Sequence, residues 1–242
     1  MIQALILGHK GMLGNAVLKY FESQSSKEII SEVTENRWPT DKFKREILEF
    51  KGDFIINCIA KIPNREGSFD LNYDLPVWLD QNAKCKLIYP NTDFEGLNDE
   101  YGKSKEKISK YLSSKGQKTK MLKTSIIGHS QNHKDSLIDW FLTSEGQVFG
   151  YTQVFWNGVT TLQWSKECLK LMNSWDDYDV DTVISSKKIS KFDLLEIIKK
   201  VYEKKINILE KPSVKRDECL EGIIHVPNIK SQLKELRKFY RL

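Results

Sequence analysis

The sequence has no apolar run approaching the roughly 18 consecutive residues that a membrane-spanning helix requires. Its beginning, MIQALILGHKG, passes from a short apolar stretch directly into glycines, with no basic region before it and no cleavage site after it. Neither membrane insertion nor secretion is expected, and the expected location is cytoplasmic. Cysteine is sparse: Cys58, Cys85, Cys168 and Cys219 stand far apart, without a CxxC pair. They read as reduced thiols that build neither a disulfide framework nor a structural zinc site. The histidines, His9, His129, His133 and His225, show no metal spacing and no Ser or Cys partner pattern. No metal is expected, and these side chains read as structural or peripheral. Internal repeats, low-complexity tracts and Pro/Gly linkers are missing as well. So is a strong excess of one charge: 38 Lys and Arg face 33 Asp and Glu, spread along the chain, for a net charge of +5. That balance suits acidic small molecules as well as nucleic acid. With no basic stripe or aromatic platform in view, nucleic acid is not an expected partner.

What is present is a chain of 242 residues, 40% hydrophobic and 29% charged, long enough to bury a full-sized core. IQALIL (2–7) reads as a strand ending at Gly8, and AVLKYF continues with helical spacing. EIISEV (28–33) reads as a second strand, Thr40 as the cap of a helix through DKFKREILEF, and DFIINCIA (53–60) as a buried strand. LNYDLPVWLDQNAK is the next helix, CKLIYP (85–90) the next strand, YGKSKEKISKYLSSKG a helix stopped by Gly116, and KMLKTSIIG (120–128) a strand. This alternation predicts an α/β fold, a doubly wound parallel sheet of Rossmann-like type covered by helices on both faces. Beyond Gly128 the pattern loosens. SLIDWFLTSEG looks helical, QVFGYTQVFWNG aromatic and irregular, and TLQWSKECLKLMNSW helical from Thr160 or Thr161. A strand DVDTVIS, a helix KFDLLEIIKKVYE, a short strand KINILE and a final helix SQLKELRKFYRL follow. The expected organisation is a core over 1–128, with 129–242 adding sheet elements and a small substrate lobe that does not fold independently.

Gly8-His9-Lys10-Gly11-Met12-Leu13-Gly14 places glycines three residues apart directly after the first strand and at the opening of a helix. The first permits a tight turn, the second lets backbone approach a pyrophosphate, and the third packs helix against strand. The spacing resembles the GxxGxxG of extended short-chain dehydrogenase/reductases rather than the GxGxxG of typical dehydrogenases. Further along, Asn57-Cys58-Ile59-Ala60 resembles that family's N-A-A element, Asn91-Thr92-Asp93 its S/T-T/S-D element, and Tyr101-Gly102-Lys103-Ser104-Lys105 its YxxxK pair. All stand in the family's order, each at a predicted strand end or helix start, and LNYDLP, with Asn72 and Pro76, resembles its helix before the fifth strand. A second YxxxK pair, Tyr111 and Lys115, lies well inside the helix with no threonine-bearing strand end before it. Tyr101 and Lys105 are therefore the expected pair.

Four residues apart on a helix, the phenol and the ammonium share one face. A neighbouring ammonium favours the phenolate and is expected to bring the tyrosine down from its ordinary pKa of about 10. The resemblance implies that Tyr101 exchanges a proton with a carbonyl oxygen, that Thr92 hydrogen-bonds the same oxygen, and that Lys105 also holds the nicotinamide ribose. It further implies cofactor contacts from Gly8 to Gly14 and from Cys58, Ile59 and Ala60. Lys10 and Arg37 would meet a 2′-phosphate, whereas Glu35 suits a ribose hydroxyl. NADPH is the expected cofactor, with NADH open.

Within the family, Asp93-Phe94 after Thr92 resembles the Asp-aromatic pair of the dTDP-4-dehydrorhamnose reductase group, and GHKGMLG resembles the loop of GDP-fucose synthases. The Asp-Glu pair of the 4,6-dehydratases is absent, which disfavours dehydration. Only Phe94 to Glu100 separate Asp93 from Tyr101, a shorter loop than the group usually has. The resemblance implies an NADPH-dependent reductase of the 4-keto group of a nucleotide-activated deoxysugar, in glycan precursor biosynthesis. The alternatives are an epimerase or epimerase-reductase, with Cys58 or Lys61 as acid/base, and a non-catalytic NADP-binding sensor. On the substrate side stand Lys61 to Arg65, Thr92 and Asp93, the segment Trp156-Asn157-Gly158 for stacking, and Lys215 or Arg216 for a diphosphate. Family members often pair through the helix carrying Tyr101, and its Lys-rich face here leaves a homodimer open.

Overall fold

A computed structural model describes residues 1–24, 28–63, 66–93, 99–131, 136–212 and 215–242. Asn64, Arg65, Phe94 and His133, named above, lie outside the described residues.

Strand β1 (Ile2–Leu7) is followed by helix α1 (Met12–Gln24), β2 (Ile29–Val33), α2 (Asp41–Glu49) and β3 (Phe54–Asn57). Then come α3 (Leu71–Asn82), β4 (Lys86–Asn91), α4 (Glu100–Lys115) and β5 (Thr119–Lys123). Polar caps set the helix starts. Thr40 Oγ1 accepts from the Phe43 N–H at 3.3 Å, and Asp99 Oδ1 from the Gly102 N–H at 2.6 Å, each satisfying a donor that the first turn leaves unpaired. Beyond β5 lie β6 (Ile126–Ile127), α5 (Leu137–Thr143), β7 (Gln147–Tyr151), β8 (Val154–Trp156), β9 (Val159–Thr160) and α6 (Thr161–Asn173). The chain goes on through β10 (Asp181–Ser185), β11 (Ile189–Ser190), α7 (Lys191–Tyr202), β12 (Asn207–Lys211), β13 (Arg216–Asp217), β14 (Ile224–His225) and α8 (Ile229–Tyr240).

The central sheet has seven strands in the order β14-β10-β5-β4-β3-β1-β2, and every pair in it is parallel. Strand periodicity splits its side chains between two faces. Ala4, Ile6, Ile56, Ile88 and Leu122 pack with Val17 and Phe21 of α1 and with Trp164, Cys168 and Leu171 of α6. Leu5, Leu7, Ile55 and Leu87 meet Phe43, Ile47, Leu75 and Leu79 of α2 and α3, and Tyr89 and Met121 meet Ile108 and Leu112 of α4. This is the doubly wound α/β sheet expected. A further core, built around Phe141, Trp156, Leu194, Ile198 and Leu233, holds α5, α7 and α8 together beside it.

The C-terminal half differs from expectation in detail. The run 120–128 is not one strand: the chain leaves the central sheet after Lys123, and β6 pairs with β9 instead. Ser125 O accepts from the Val159 N–H at 2.8 Å while Gly158, where a Cβ would lie 2.2 Å from that oxygen, allows the close approach. QVFGYTQVFWNG is not irregular but supplies β7 and β8, and KINILE becomes β12, paired in parallel with β7 away from the central sheet. Among the described residues no helix is long and apolar enough to cross a membrane.

Candidate active site

In the order β3-β1-β2 the succession of strands reverses beside β1. Ligands of open α/β sheets bind where such a reversal leaves a crevice at the carboxyl ends of the strands. Two cavities open there. The glycine segment lies between them, and its geometry explains each glycine. Gly8 has φ +77, a left-handed conformation that side chains disfavour, and a Cβ on it would come within 3.0 Å of the Cys58 carbonyl carbon. Gly11 N–H donates to Gly8 O at 2.9 Å, closing the turn. A Cβ on Gly14 would lie 2.3 Å from Gly8 O, so only glycine lets α1 pack down on the turn. The first turn of α1 carries no acidic residue, which leaves the positive end of the helix available to an anion.

The first cavity, about 340 Å³, is bordered by Gly8, His9, Lys10, Glu35, Arg37 and Trp38, with Ile59 in its wall. Glu35 lies 2.5 Å from Lys10 Nζ and 3.2 Å from His9 Nε2. The hydrogen bond from Lys10 holds its carboxyl below the usual range. Trp38 was not picked out in the sequence; a tryptophan followed by proline carries no site signal of its own.

The second cavity, about 500 Å³, is lined by Gly11, Met12, Leu13, Cys58 and Ala60 together with Thr92, Asp93, Tyr101 and Lys105, and by Ser125 and Ser130. Thr92 follows β4, where Asn91 Oδ1 accepts its N–H at 3.0 Å. Tyr101 stands in the first turn of α4, and that turn is tied back across the fold. Ser104 Oγ donates to Tyr101 O at 2.7 Å, and buried Asn72 donates to Ser104 Oγ at 3.0 Å. Asn72 also brackets Lys61, accepting its N–H at 2.7 Å and donating to its O at 3.0 Å.

The expected effect of Lys105 on Tyr101 is corrected. Burial pushes the Tyr101 phenol up to about 12; Thr92's hydrogen bond opposes this, while Asp93 and Asp99 add to it. Lys105 Nζ donates to Tyr89 OH at 2.7 Å and lies 5.9 Å from the Tyr101 ring centre. Without a bound partner, desolvation and two carboxylates outweigh an ammonium engaged elsewhere. Tyr101 is therefore a protonated phenol, hydrogen-bonded to Thr92. Burial likewise raises Asp93, against hydrogen bonds from Ser125 and Thr92, and pushes Cys58 up to about 12 although Lys105 opposes it. Tyr89 and the two serines were missed: a tyrosine inside a strand reads as core, and lone serines carry no signal.

The expected site residues thus divide. Gly11, Met12, Leu13, Cys58, Ala60, Thr92, Asp93, Tyr101 and Lys105 share the larger cavity, and Gly8, His9, Lys10, Arg37 and Ile59 the smaller, with Gly14 buried beneath the turn. Three lie elsewhere. Trp156 is 3% exposed and packs in the core of the α5–α7–α8 region, so it offers no stacking face; in the three-residue β8 it points inward with Val154. Lys61 is buried, its Nζ donating to Ile62 O at 2.7 Å and lying 4.7 Å from the Phe69 ring centre, and it lines a separate cavity of about 270 Å³. Arg216 lines neither site cavity and pairs with Glu218 at 2.7 Å. Asn157 binds the Leu220 backbone in both directions, at 2.7 and 3.0 Å. The cradle, the helix end and the flanking cavities fit a dinucleotide.

No family model matches the chain, and no curated protein matches it. Solved structures do. A dTDP-4-dehydrorhamnose reductase from Clostridium acetobutylicum superposes with a TM-score of 0.76 at 16% identity, covering 100% of both chains. A dTDP-4-dehydrorhamnose reductase from Bacillus anthracis, in complex with NADP, gives 0.76 at 14% identity, covering 100% of this chain and 99% of that one. The ADP-L-glycero-D-manno-heptose-6-epimerase of Helicobacter pylori gives 0.76 at 14% identity, covering 100% and 97%. The chain has, over its whole length, the fold of these nucleotide-sugar reductases and epimerases.

Proposed function

We propose that this chain is an NADPH-dependent reductase of a keto group on a nucleotide-activated deoxysugar, working in the formation of glycan precursors. The observation that carries the reading is the protonated Tyr101 phenol, hydrogen-bonded to Thr92 in a cavity that adjoins the glycine turn. A carbonyl oxygen bound between Thr92 and Tyr101 is polarised by the hydroxyl and receives its proton from the phenol. Lys105, together with Tyr89, holds positive charge beside the phenolate that forms. When bound, the nicotinamide supplies the hydride. Gly8 to Gly14, Cys58, Ile59 and Ala60 would hold the dinucleotide, and Lys10 and Arg37 its 2′-phosphate. Asp93 closes the cavity as its single carboxylate among the described residues, which suits reduction better than elimination.

Epimerisation is less well supported. Cys58 keeps its proton up to about pH 12, and Lys61 lines a different cavity, so neither serves as the acid/base that such a reaction requires. A sensor without catalysis would have no use for the assembled Thr92–Tyr101–Lys105 group. One observation favours NADH: Glu35 occupies Lys10, the cation a 2′-phosphate would need.

NADPH oxidation against dTDP-, UDP-, GDP- and CDP-linked 4-keto sugars tests the reading. Tyr101→Phe is expected to lower turnover about 10²–10⁴-fold while leaving NADPH affinity intact. Glu35→Gln is expected to tighten NADPH and loosen NADH. Turnover that survives Tyr101→Phe, or a wild type that turns over none of these sugars, would overturn the proposal.

A further inference from the structure

Behind Ser130 in the wall of the larger cavity, a buried chain of polar groups lies outside the chemistry just described. Ser130 lines the cavity. Its backbone N–H and its Oγ–H both donate to Asp139 Oδ2, each at 2.7 Å. Asp139 Oδ1 lies 2.8 Å from His129 Nδ1, and His129 Nε2 lies 2.8 Å from Tyr202 OH. His129 and Asp139 are 1% and 2% exposed. The Ser136 hydroxyl accepts the Asp139 N–H at 3.0 Å, and the rings of Tyr202 and Tyr240 flank His129 with centres 5.5 and 5.3 Å away. Burial raises the Asp139 carboxyl, but the hydrogen bonds from Ser130, His129 and Ser136 outweigh it and hold the group ionised below its ordinary value.

The direction of these bonds fixes what Ser130 can do. An ionised carboxylate only accepts, so the Ser130 hydrogen is committed to Asp139. Towards the cavity its oxygen can only accept a hydrogen bond. An accepting oxygen backed by a carboxylate repels phosphate and ignores a carbonyl, but it suits a hydroxyl. Burying an ionised carboxylate is costly unless its oxygens are held by donors, and here the segment after β6 and α5 hold Asp139, while Tyr202 of α7 meets the far nitrogen of His129.

We propose that Ser130 accepts a hydrogen bond from a hydroxyl of the substrate's sugar ring, and that Asp139 and His129 are positioning residues that keep its oxygen an acceptor. The inference rests on the reading of the cavity as a nucleotide-sugar site. It places the sugar, rather than the diphosphate, against the wall formed by the segment after β6, with the keto group at Thr92 and Tyr101.

Calorimetric titration with dTDP-, UDP-, GDP- and CDP-glucose, beside the matching nucleoside diphosphates, tests this. Ser130→Ala is expected to weaken the preferred sugar nucleotide about three- to tenfold, the loss of one hydrogen bond, and to leave the diphosphate and NADPH unchanged. In turnover it is expected to raise KM with kcat unaltered. Asp139→Ala, which removes the acceptor of the Ser130 hydroxyl and frees its hydrogen to turn towards the cavity, is expected to lose a similar factor. His129→Gln serves in its place if that variant does not fold. Wild-type affinity in Ser130→Ala, or an equal loss for sugar nucleotide and diphosphate, would overturn the assignment of Ser130. Wild-type sugar affinity in the folded Asp139 or His129 variant would overturn the positioning roles. A wild type that binds NADPH but none of the sugar nucleotides would overturn both this inference and the substrate class.

Discussion

Replacing Gly14 and Gly11 separately by alanine divides what the glycine turn does for the fold from what it does for a ligand. An added Cβ at Gly14 would sit 2.3 Å from Gly8 O, 2.7 Å from Gly8 C and 3.0 Å from His9 Cα, where ordinary contact begins at 3.4 Å. All three are backbone atoms, so no side chain can rotate away, and α1 must withdraw by about 1 Å from a close-packed interior that resists such shifts. That movement loosens Val17 and Phe21 from the sheet. Overpacking of this kind costs about 1–3 kcal/mol or more, partly offset by the roughly 1 kcal/mol by which alanine favours a helix over glycine. A net loss of about 1–2 kcal/mol corresponds to a fall in Tm of about 2–8 °C in a chain of this size. At Gly11 the added Cβ meets only Gly8 O, at 3.3 Å, and Tm is expected to stay within about 2 °C. Gly11 nevertheless lines the larger cavity, so the same methyl group stands where a pyrophosphate would approach the backbone. NADPH affinity is expected to fall by about tenfold or more, at least 1.4 kcal/mol. Thermal unfolding followed by circular dichroism, with calorimetric NADPH titration of each variant, reads both effects. A Gly14→Ala protein that unfolds at the wild-type temperature, or a Gly11→Ala protein as destabilised as Gly14→Ala, would refute this division of labour.

Two further outcomes are expected. The Tyr101 phenol, pushed up to about 12 in the folded chain, contributes stability that is complete below its unfolded value of about 10 and is lost as pH rises through about 12. Subtracting the phenolate absorbance titration of Tyr101→Phe from that of the wild type should reveal this late transition, and a phenol titrating below pH 10 in the ligand-free protein would contradict it. Trp156→Ala is expected to cost about 3–5 kcal/mol, the usual price of emptying an aromatic core site, in denaturant unfolding; a cost below about 1 kcal/mol would return Trp156 to the candidate ligand contacts.

The first half of the fold was legible because its signals are backbone demands. Gly8 and Gly14 stand where a Cβ would collide with the main chain, and residues 4–7 of β1 and 54–56 of β3 are buried on both faces, so they read as unbroken apolar runs. The helix start at Tyr101 followed from strand end, loop and spacing. What spacing could not reveal was the partner of Lys105. Being four residues from Tyr101 puts the two on one face, but Tyr89, on the neighbouring strand, takes the ammonium. In β7 the bulky Phe149 and Tyr151 face outward while Val148 and Gly150 face inward, with Phe192 filling the space above Gly150. A strand with its large side chains on the exposed face reverses the usual hydrophobic alternation, and the segment therefore read as irregular. The departure of β6 from the central sheet depends on Gly158, more than thirty residues downstream of the point where the chain turns, a tertiary cause that local pattern does not carry.

The packing of α1 against α6 ties the start of the chain to its second half in time as well as in space. Val17 and Phe21 find their cover in Trp164, Cys168 and Leu171, residues translated long after α1 has left the ribosome. At about 5–20 residues per second, the intervening segment takes roughly seven to thirty seconds to synthesise. Through that interval Val17 and Phe21 of the glycine-turn helix lack the cover that α6 provides in the finished fold. The packing that fixes the helix behind the glycine turn is thus complete only once α6 has been made, and a nascent chain stalled before α6 would present the apolar face of α1 uncovered.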